Sequence, residues 1–385
     1  MEEEEPPDHE SAVSSRNRSS DKKQILLLAD VSLNEMAVCN PAVCAPHFIY
    51  RVREKTDNRY GERSLIKYQK LINPYKLSGN PRTIIASEHE WELDGVEDAR
   101  ISKNGLYHIV YTAFNQNEQD GGARIALATT EDFKKIKKEG IIGSPIRLEE
   151  AVKLVGGANS YYGKQFAETL DAVRHGGKAS NPYIMDKDAT IVYNVKGKPI
   201  LLHRMGNAIQ AMPFDTLNDL KNEGFWRYKM SELEKDTILY PGEKWASEKV
   251  GLGGTPINIE GRIIGHIHGV KKIESKKKTI YIYNSTFAEF DPETYHIRAI
   301  LRSPVFKPSR QLVLTESGGE KIIKKYVNFA TGMTIDPDNP SIICNYSGIG
   351  DQGIELRTNN LKQWLLTELS NPHNHIANWQ RTLAA

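Results

Sequence analysis

The chain has 385 residues, with 51 lysines and arginines against 49 aspartates and glutamates, a formal net charge of +2. That balance argues against a nucleic-acid binder working by general electrostatic attraction, which requires a clear basic excess. Three cysteines, Cys39, Cys44 and Cys344, do not make a disulfide framework, and no run approaches the ~18 apolar residues of a membrane span.

The start, Met-Glu-Glu-Glu-Glu-Pro-Pro, lacks the basic and apolar regions of a secretory signal, so a cytoplasmic protein without a membrane partner is expected. Residues 1–23 offer almost nothing to bury and are expected to form a disordered tail. Residues 24–385 are expected to form a single domain. Its apolar runs are short, rich in Ile, Val, Tyr and Leu, and separated by Gly, Pro, Asn and Asp, the punctuation of strands and turns. Strands are predicted at 106–114, 123–128, 199–204, 262–270, 279–290 and 341–346, and helices only at 164–173 and 214–222. The fold class is all-β.

Five apolar strands end alike, in a Tyr or His followed by a polar or small residue: Tyr50, Tyr111, His203, His268 and Tyr346. The intervals of 61, 92, 65 and 78 residues each accommodate about four strands with loops. Five such units describe a five-bladed β-propeller whose innermost strands deliver their polar ends into a central, funnel-shaped active site. A β-sandwich with recurring strand ends is the competing reading.

The densest polar segment runs from Glu90 through Trp91, Asp94, Glu97 and Asp98 to Arg100. In an extended strand neighbours face opposite sides, so Asp98 and Arg100 share a face and Glu97 does not. A carboxyl beside a guanidinium suits a sugar hydroxyl or leaving group; an acidic surface turn would look the same. Lys187 and Asp188, followed after one hairpin by His203 and Arg204, suit a phosphate, since Arg offers a planar fork and Lys a point charge. Salt-bridged hairpin residues are the alternative. His266 and His268 lie on one strand face without a third ligand, which favours core or pocket histidines over a metal pair. The 251–256 segment, Gly-Leu-Gly-Gly-Thr-Pro, is no phosphate-binding loop, and a tight bend accounts for it. No G-x-S-x-G elbow occurs, and Lys271, Lys272, Lys276, Lys277 and Lys278 read as a solvated hairpin tip.

Taken in order, these pieces resemble glycoside hydrolase family 130, the β-mannoside phosphorylases and β-mannosidases. Asn40-Pro41-Ala42 with Tyr50-Arg51 is similar to the family's opening, and Gly95-Val96-Glu97-Asp98-Ala99-Arg100 to its G-x-E-D-P-R motif. Lys187-Asp188-Ala189 with His203-Arg204, Lys249-Val250-Gly251-Leu252-Gly253, His268-Gly269-Val270 and the 345–351 segment follow in the family's order. The resemblance implies the propeller, and an inverting reaction in which Asp98 is the catalytic acid, protonating the glycosidic oxygen through the mannose 3-hydroxyl. It implies Asn40, Arg51, Arg100, Asp188, His203, Tyr346 and Asp351 as substrate-binding residues. Lys187, Arg204 and His268, with Tyr283 or Tyr281, would form a phosphate cradle. No cofactor or metal is implied; inorganic phosphate is the co-substrate and an oligosaccharide the substrate, and a homo-oligomer is compatible.

The retained cations favour phosphorolysis. A β-mannosidase would need a second carboxylate, Asp188 or Glu248, to activate water, and a non-cleaving glycan binder would pair Asp98 with Arg100. Three departures from the family pattern stand out: Ala99 replaces a proline, an insert with Gly156-Gly157 and Gly176-Gly177 lies in the 92-residue interval, and Thr190-Ile191-Val192-Tyr193 follows Ala189.

Overall fold

A computed structural model of the protein describes residues 22–57, 61–115, 122–157, 159–175, 181–274, 279–308, 313–316, 319–322, 326–350, 352–359 and 361–381. The predicted tail lies outside the described residues up to 21. Lys22 and Lys23 already belong to a strand, paired with Thr358 and Arg357.

In chain order, β1 (Lys22–Leu28) precedes β2 (Glu35–Cys44), β3 (His47–Lys55), β4 (Glu62–Asn73) and β5 (Lys76–Ile85). Next come β6 (Gly95–Asn104), β7 (Leu106–Asn115), β8 (Gly122–Thr130) and β9 (Lys137–Ile141), then α1 (Leu148–Leu154) and α2 (Tyr161–His175). The middle of the chain forms β10 (Asp186–Tyr193), β11 (Pro199–Met205), β12 (Ala208–Pro213), α3 (Glu223–Ser231), α4 (Leu233–Asp236) and β13 (Thr237–Leu239). It continues with β14 (Lys249–Leu252), β15 (Ile257–Ile259), β16 (Arg262–Glu274), β17 (Thr279–Phe290) and β18 (Ile297–Ile300). A small hairpin, β19 (Val313–Glu316) and β20 (Gly319–Ile322), leads to β21 (Asn328–Ile335), β22 (Ile343–Ile349), β23 (Gly353–Asn359), α5 (Lys362–Leu369) and α6 (Ile376–Arg381).

The strands pair almost entirely with their neighbours in sequence, in antiparallel order. Strands β2 to β9 count as one sheet only through a single parallel bridge, Ser64 to Gly95. A side chain at Gly95 would lie 2.7 Å from the Ser64 amide nitrogen, and its φ is +129°, so only glycine allows that approach. Opened at this bridge, the described residues form five larger antiparallel sheets, β2–β5, β6–β9, β10–β13, β14–β18 and β21–β23, beside the two-stranded β19–β20 hairpin. The last of the five is completed by β1, which pairs with β23 from the far end of the chain. Neighbouring sheets touch in succession: β2 meets β6, β6 meets β10, β10 meets β14, and β21 meets both β2 and β16.

The strand-rich expectation holds, and the predicted helix at 164–173 lies inside α2. The helix predicted at 214–222 does not form. There Asp219 accepts the amides of Asp215 and Thr216 in a turn, and the helix begins after Asn222, whose side chain caps Phe225. The insert is largely helical: α1 and α2 bury Leu148, Ala151, Tyr162 and Phe166 against Val110, Ile191 and Met212 of the second and third sheets. At ~2 kcal/mol for each large side chain removed from water, this burial holds the helices down. Gly176 and Gly177 lie outside the described residues. Among the described residues no helix is long and apolar enough to cross a membrane.

The recurring strand ends occupy corresponding places, though not the predicted ones. Tyr50, Tyr111, His203, His268 and Tyr346 all lie on the second strand of their sheet, not the first. Four are tied down within the protein: Tyr50 to Gln69, Tyr111 to Glu92, His203 to Asp186, and Tyr346 to the Pro74 carbonyl.

Candidate active site

Three consecutive first strands share one backbone feature. In β2, β6 and β10 the ladder to the second strand slips, between Cys39 and Ala42, Glu97 and Arg100, and Lys187 and Thr190. At each slip one polar residue has a positive φ: Asn40 at 47°, Asp98 at 51° and Asp188 at 53°. A bulge re-aims a side chain, and Asn and Asp tolerate the left-handed region better than other non-glycine residues. Each such conformation costs ~1–3 kcal/mol and persists only when its surroundings hold it. The residues opposite the slips are Tyr50, Tyr111 and His203, so three of the five marks of the sequence repeat back the bulges, whereas His268 lies opposite Gly251 in an unbroken ladder.

The slip at Asp98 also breaks the strict alternation expected there. Glu97 and Asp98 both reach Arg51, whose Nη2 donates to Glu97 Oε1 at 2.5 Å and whose Nη1 donates to Asp98 Oδ1 at 3.2 Å. Asn40 Nδ2 donates to the same Asp98 oxygen at 2.5 Å, and Ser64 fixes Arg51 through Nε at 2.9 Å. Asn40, Arg51 and Asp98 therefore converge from two sheets. Burial alone pushes the Asp98 carboxyl up, but the charges of Arg51, Lys187 and Arg100 outweigh it and hold it below the ordinary aspartate value. In the free protein Asp98 is a carboxylate at neutral pH.

Arg100 does not pair with that carboxylate. Its Nη1 donates instead to the backbone carbonyls of Asp98, at 2.8 Å, and Ala99, at 3.1 Å. The pairing expected of a non-cleaving glycan binder is thus not present, and because Arg100 is fully buried its expected contact with substrate gives way to a contact with backbone.

A second group lies on the third and fourth sheets. Arg204 Nε donates to Asp188 Oδ2 at 2.6 Å, and His268 Nε2 stands 3.7 Å from the same oxygen. Burial alone raises the Asp188 carboxyl, but the charges of Arg204, Lys187 and Arg100 outweigh it and hold the group far below the usual range. Burial pushes His268 down to about 3, so its ring is neutral. Phe329 meets that ring edge-on at 4.3 Å and Tyr283 stacks on it at 6.4 Å. Tyr281, the other candidate, is an exposed residue.

Gly254 lies at a bend, as the sequence suggested, although none of the glycines at 251, 253 and 254 has a positive φ. They allow close approach: a side chain on Gly251 would stand 2.2 Å from His268 Cε1 and 2.7 Å from Asp188 Oδ2.

The sequence motif contains Lys249 but gave it no role. Lys249 opens β14, its Nζ lies 5.7 Å from the Tyr283 ring centroid, and burial together with the charges of Arg204 and Lys187 lowers it to about 8. The signal was a cation two residues before a glycine that makes room for a histidine and a carboxylate. Three cations, Lys187, Arg204 and Lys249, thus act on one another beside Asp188, which is already paired with Arg204, an arrangement that can accept a dianion.

The other predicted residues lie elsewhere. His203 is on the opposite face of β11 from Arg204, as alternation requires, bonded to Asp186 at 2.8 Å and edge-on to Trp226. Tyr346 is a core residue against Phe48. Trp91 stacks on His89. His266 is a core histidine, bonded to Asn345 at 3.0 Å and packed on Phe287 and Phe306. Among the described residues no group of three or more His, Cys, Asp or Glu side chains is placed to hold a metal. Asp351 and Lys276 to Lys278 lie outside the described residues.

The family model described as beta-1,4-mannooligosaccharide phosphorylase matches residues 20–366. The chain belongs to glycoside hydrolase family 130. Family 130 enzymes are glycoside phosphorylases and glycosidases acting on β-mannosides. The chain is 27% identical to a 1,2-beta-oligomannan phosphorylase from Thermoanaerobacter sp. over 249 residues, 62% of this chain and 67% of that protein. In structure it resembles a beta-1,2-mannobiose phosphorylase from Listeria innocua, with a TM-score of 0.56 at 16% identity over 87% of this chain and 92% of that one. A mannose phosphorylase from Leishmania mexicana, solved with a phosphate ion, gives a TM-score of 0.53 at 13% identity over 89% of each chain. The structural likenesses establish a shared fold with this family 130 chain.

Proposed function

We propose that the protein catalyses inverting phosphorolysis of β-mannosides in the funnel of a five-bladed propeller. The observation that carries this reading is the convergence of Lys187, Arg204 and Lys249 beside buried Asp188 and His268, in a region electrostatically continuous with Asp98. Five sheets that touch in succession, and an N-terminal strand that completes the last sheet, support the propeller.

Asn40 and Arg51 hold Asp98 where it meets the terminal mannosyl unit. A phosphate dianion seated on Lys187, Arg204 and Lys249 offsets the part of the positive field on Asp98 that comes from Lys187, which favours uptake of a proton by the carboxyl when both substrates are bound. That proton passes through the mannose 3-hydroxyl to the glycosidic oxygen. The C1–O bond to the leaving sugar breaks, a phosphate oxygen bonds to C1 from the opposite face, and α-mannose 1-phosphate forms. The proton shed by the phosphate on becoming the ester balances the one delivered. Asp188 is a poor base for water, being ion-paired and held strongly acidic, and this weighs against hydrolysis through that residue.

The test is product analysis on β-1,2- and β-1,4-mannobiose, mannosyl-glucose and mannosyl-N-acetylglucosamine, with and without inorganic phosphate. Phosphate-dependent α-mannose 1-phosphate is the expected result. Free mannose at the same rate in both conditions would overturn it in favour of a hydrolase.

A further inference from the structure

We propose that Arg100 is a positioning residue for the reaction: its guanidinium locks the left-handed bulge that aims the Asp98 carboxylate, without touching sugar or phosphate. The inference rests on the proposed role of Asp98. One guanidinium nitrogen accounts for the geometry, donating to the carbonyls of both residues that the ladder to β7 skips, at 2.8 Å and 3.1 Å. Arg100 is 0% exposed, and among the described residues its Nε and Nη2 have no hydrogen-bond partner. Its Cζ lies 5.7 Å from the centroid of the Phe329 ring.

A guanidinium buried with unmet donors is costly, and mere cohesion would be served better by an apolar side chain of similar volume. What an apolar side chain cannot do is hold two carbonyls at fixed directions. The three bulges differ in how they are fastened. After Asn40 comes Pro41, whose ring fixes φ. Asp188 is anchored through its own carboxylate, paired to Arg204 at 2.6 Å. Asp98 has Ala99 after it, and its carboxylate must remain available for chemistry. The backbone clamp by Arg100 is the fastening compatible with that requirement.

Arg100→Lys keeps the charge but replaces the planar, rigid guanidinium with an ammonium on a flexible stem, which does not hold the two carbonyls in fixed directions. The expected result is a fall in kcat of about 100-fold, the scale of a ~1 Å misplacement, with KM for sugar and phosphate within about twofold of wild type. In NMR spectra the Cα and Cβ shifts of Asp98 lose their left-handed signature. Adding Ala99→Pro, which copies the fastening of the first bulge, restores most of kcat. A raised KM with unchanged kcat would make Arg100 a binding residue and overturn the proposal; so would a lower melting temperature with unchanged kcat. If Arg100→Lys does not fold, hydrogen exchange in the unmodified protein decides: amides 98–100 exchange as slowly as the core of β7, and exchange at loop rates refutes the clamp. The NMR readouts need no turnover, so an unmodified protein that releases neither mannose nor mannose 1-phosphate defeats the functional reading while the clamp is still tested.

Discussion

Asp98 and Asp188 sit on equivalent bulges, with φ of 51° and 53°, both buried, yet their surroundings give them different work. Asp188 meets Arg204 directly and has His268 across from the same oxygen; its charge is spent inside the protein, where it orients the cation that remains. Asp98 shares Arg51 with Glu97 and accepts one amide hydrogen from Asn40. Its charge state depends in part on Lys187, which also belongs to the proposed phosphate site, so it changes when that site fills. A repeated backbone device fixes where a carboxylate points; the partner on the neighbouring strand decides whether the carboxylate reacts or supports.

The comparison is broken most directly by removing each carboxylate in turn. Asp98→Asn is expected to lower kcat by about 10²- to 10⁴-fold, the range for general acid catalysis, with the melting temperature close to wild type. An active Asp98→Asn protein would sink the assignment. Asp188→Asn leaves Arg204 buried without its partner, which costs ~3–5 kcal/mol; denaturant unfolding should register this loss, and phosphate affinity should fall with it. Were Asp188→Asn stable and merely slow, the two bulges would not be divided as argued.

Much of this was legible in the sequence. Short Ile- and Val-rich runs between turn residues placed β7, β11, β16 and β17 with small errors, because period-two burial leaves a strong signature. Motif order pointed to Asn40, Arg51, Asp98, Lys187 and Arg204. What was not legible follows from departures from regularity. Alternation put Glu97 away from Asp98, and one slipped residue undid it. The Tyr and His repeat was visible, but a list of residues does not say on which side of a strand the bulge lies, so Tyr346 and His203 were read as ligands when they back the sheets. Lys249 stands in a motif, but its role was not legible because its relation to Arg204 and Lys187 joins sheets that are distant in sequence.

The cradle side is sharpened by Lys249. Its charge is depressed to about 8 by burial and by Arg204 and Lys187, so in the free enzyme it is protonated at pH 7 and neutral by pH 9.5. Phosphate KM should therefore rise as pH passes ~8, while the Lys249→Arg variant, always charged, stays flat over the same range. Lys249→Met should weaken phosphate use about 10- to 100-fold, the equivalent of one charge-assisted hydrogen bond, with sugar KM unchanged. Equal losses for sugar and phosphate would remove Lys249 from the cradle.

The smallest effect is expected behind the Asp98 bulge. Tyr111 stands opposite the slip, its hydroxyl donating to Glu92 Oε1 at 2.6 Å, and Glu92 is fully buried with Lys138 on its other oxygen at 2.7 Å. Tyr111→Phe keeps the ring and its packing but removes one of the bonds that satisfy a buried carboxylate, which costs ~1–3 kcal/mol. If the bulge is aimed by the Arg100 clamp and only backed by Tyr111, the loss appears in the unfolding midpoint, and kcat stays within about twofold of wild type. A fall in kcat matching that of Arg100→Lys, at little cost in stability, would move the aiming of Asp98 from the guanidinium to the backing strand and would make the Tyr and His repeat, after all, a record of catalysis and not of architecture.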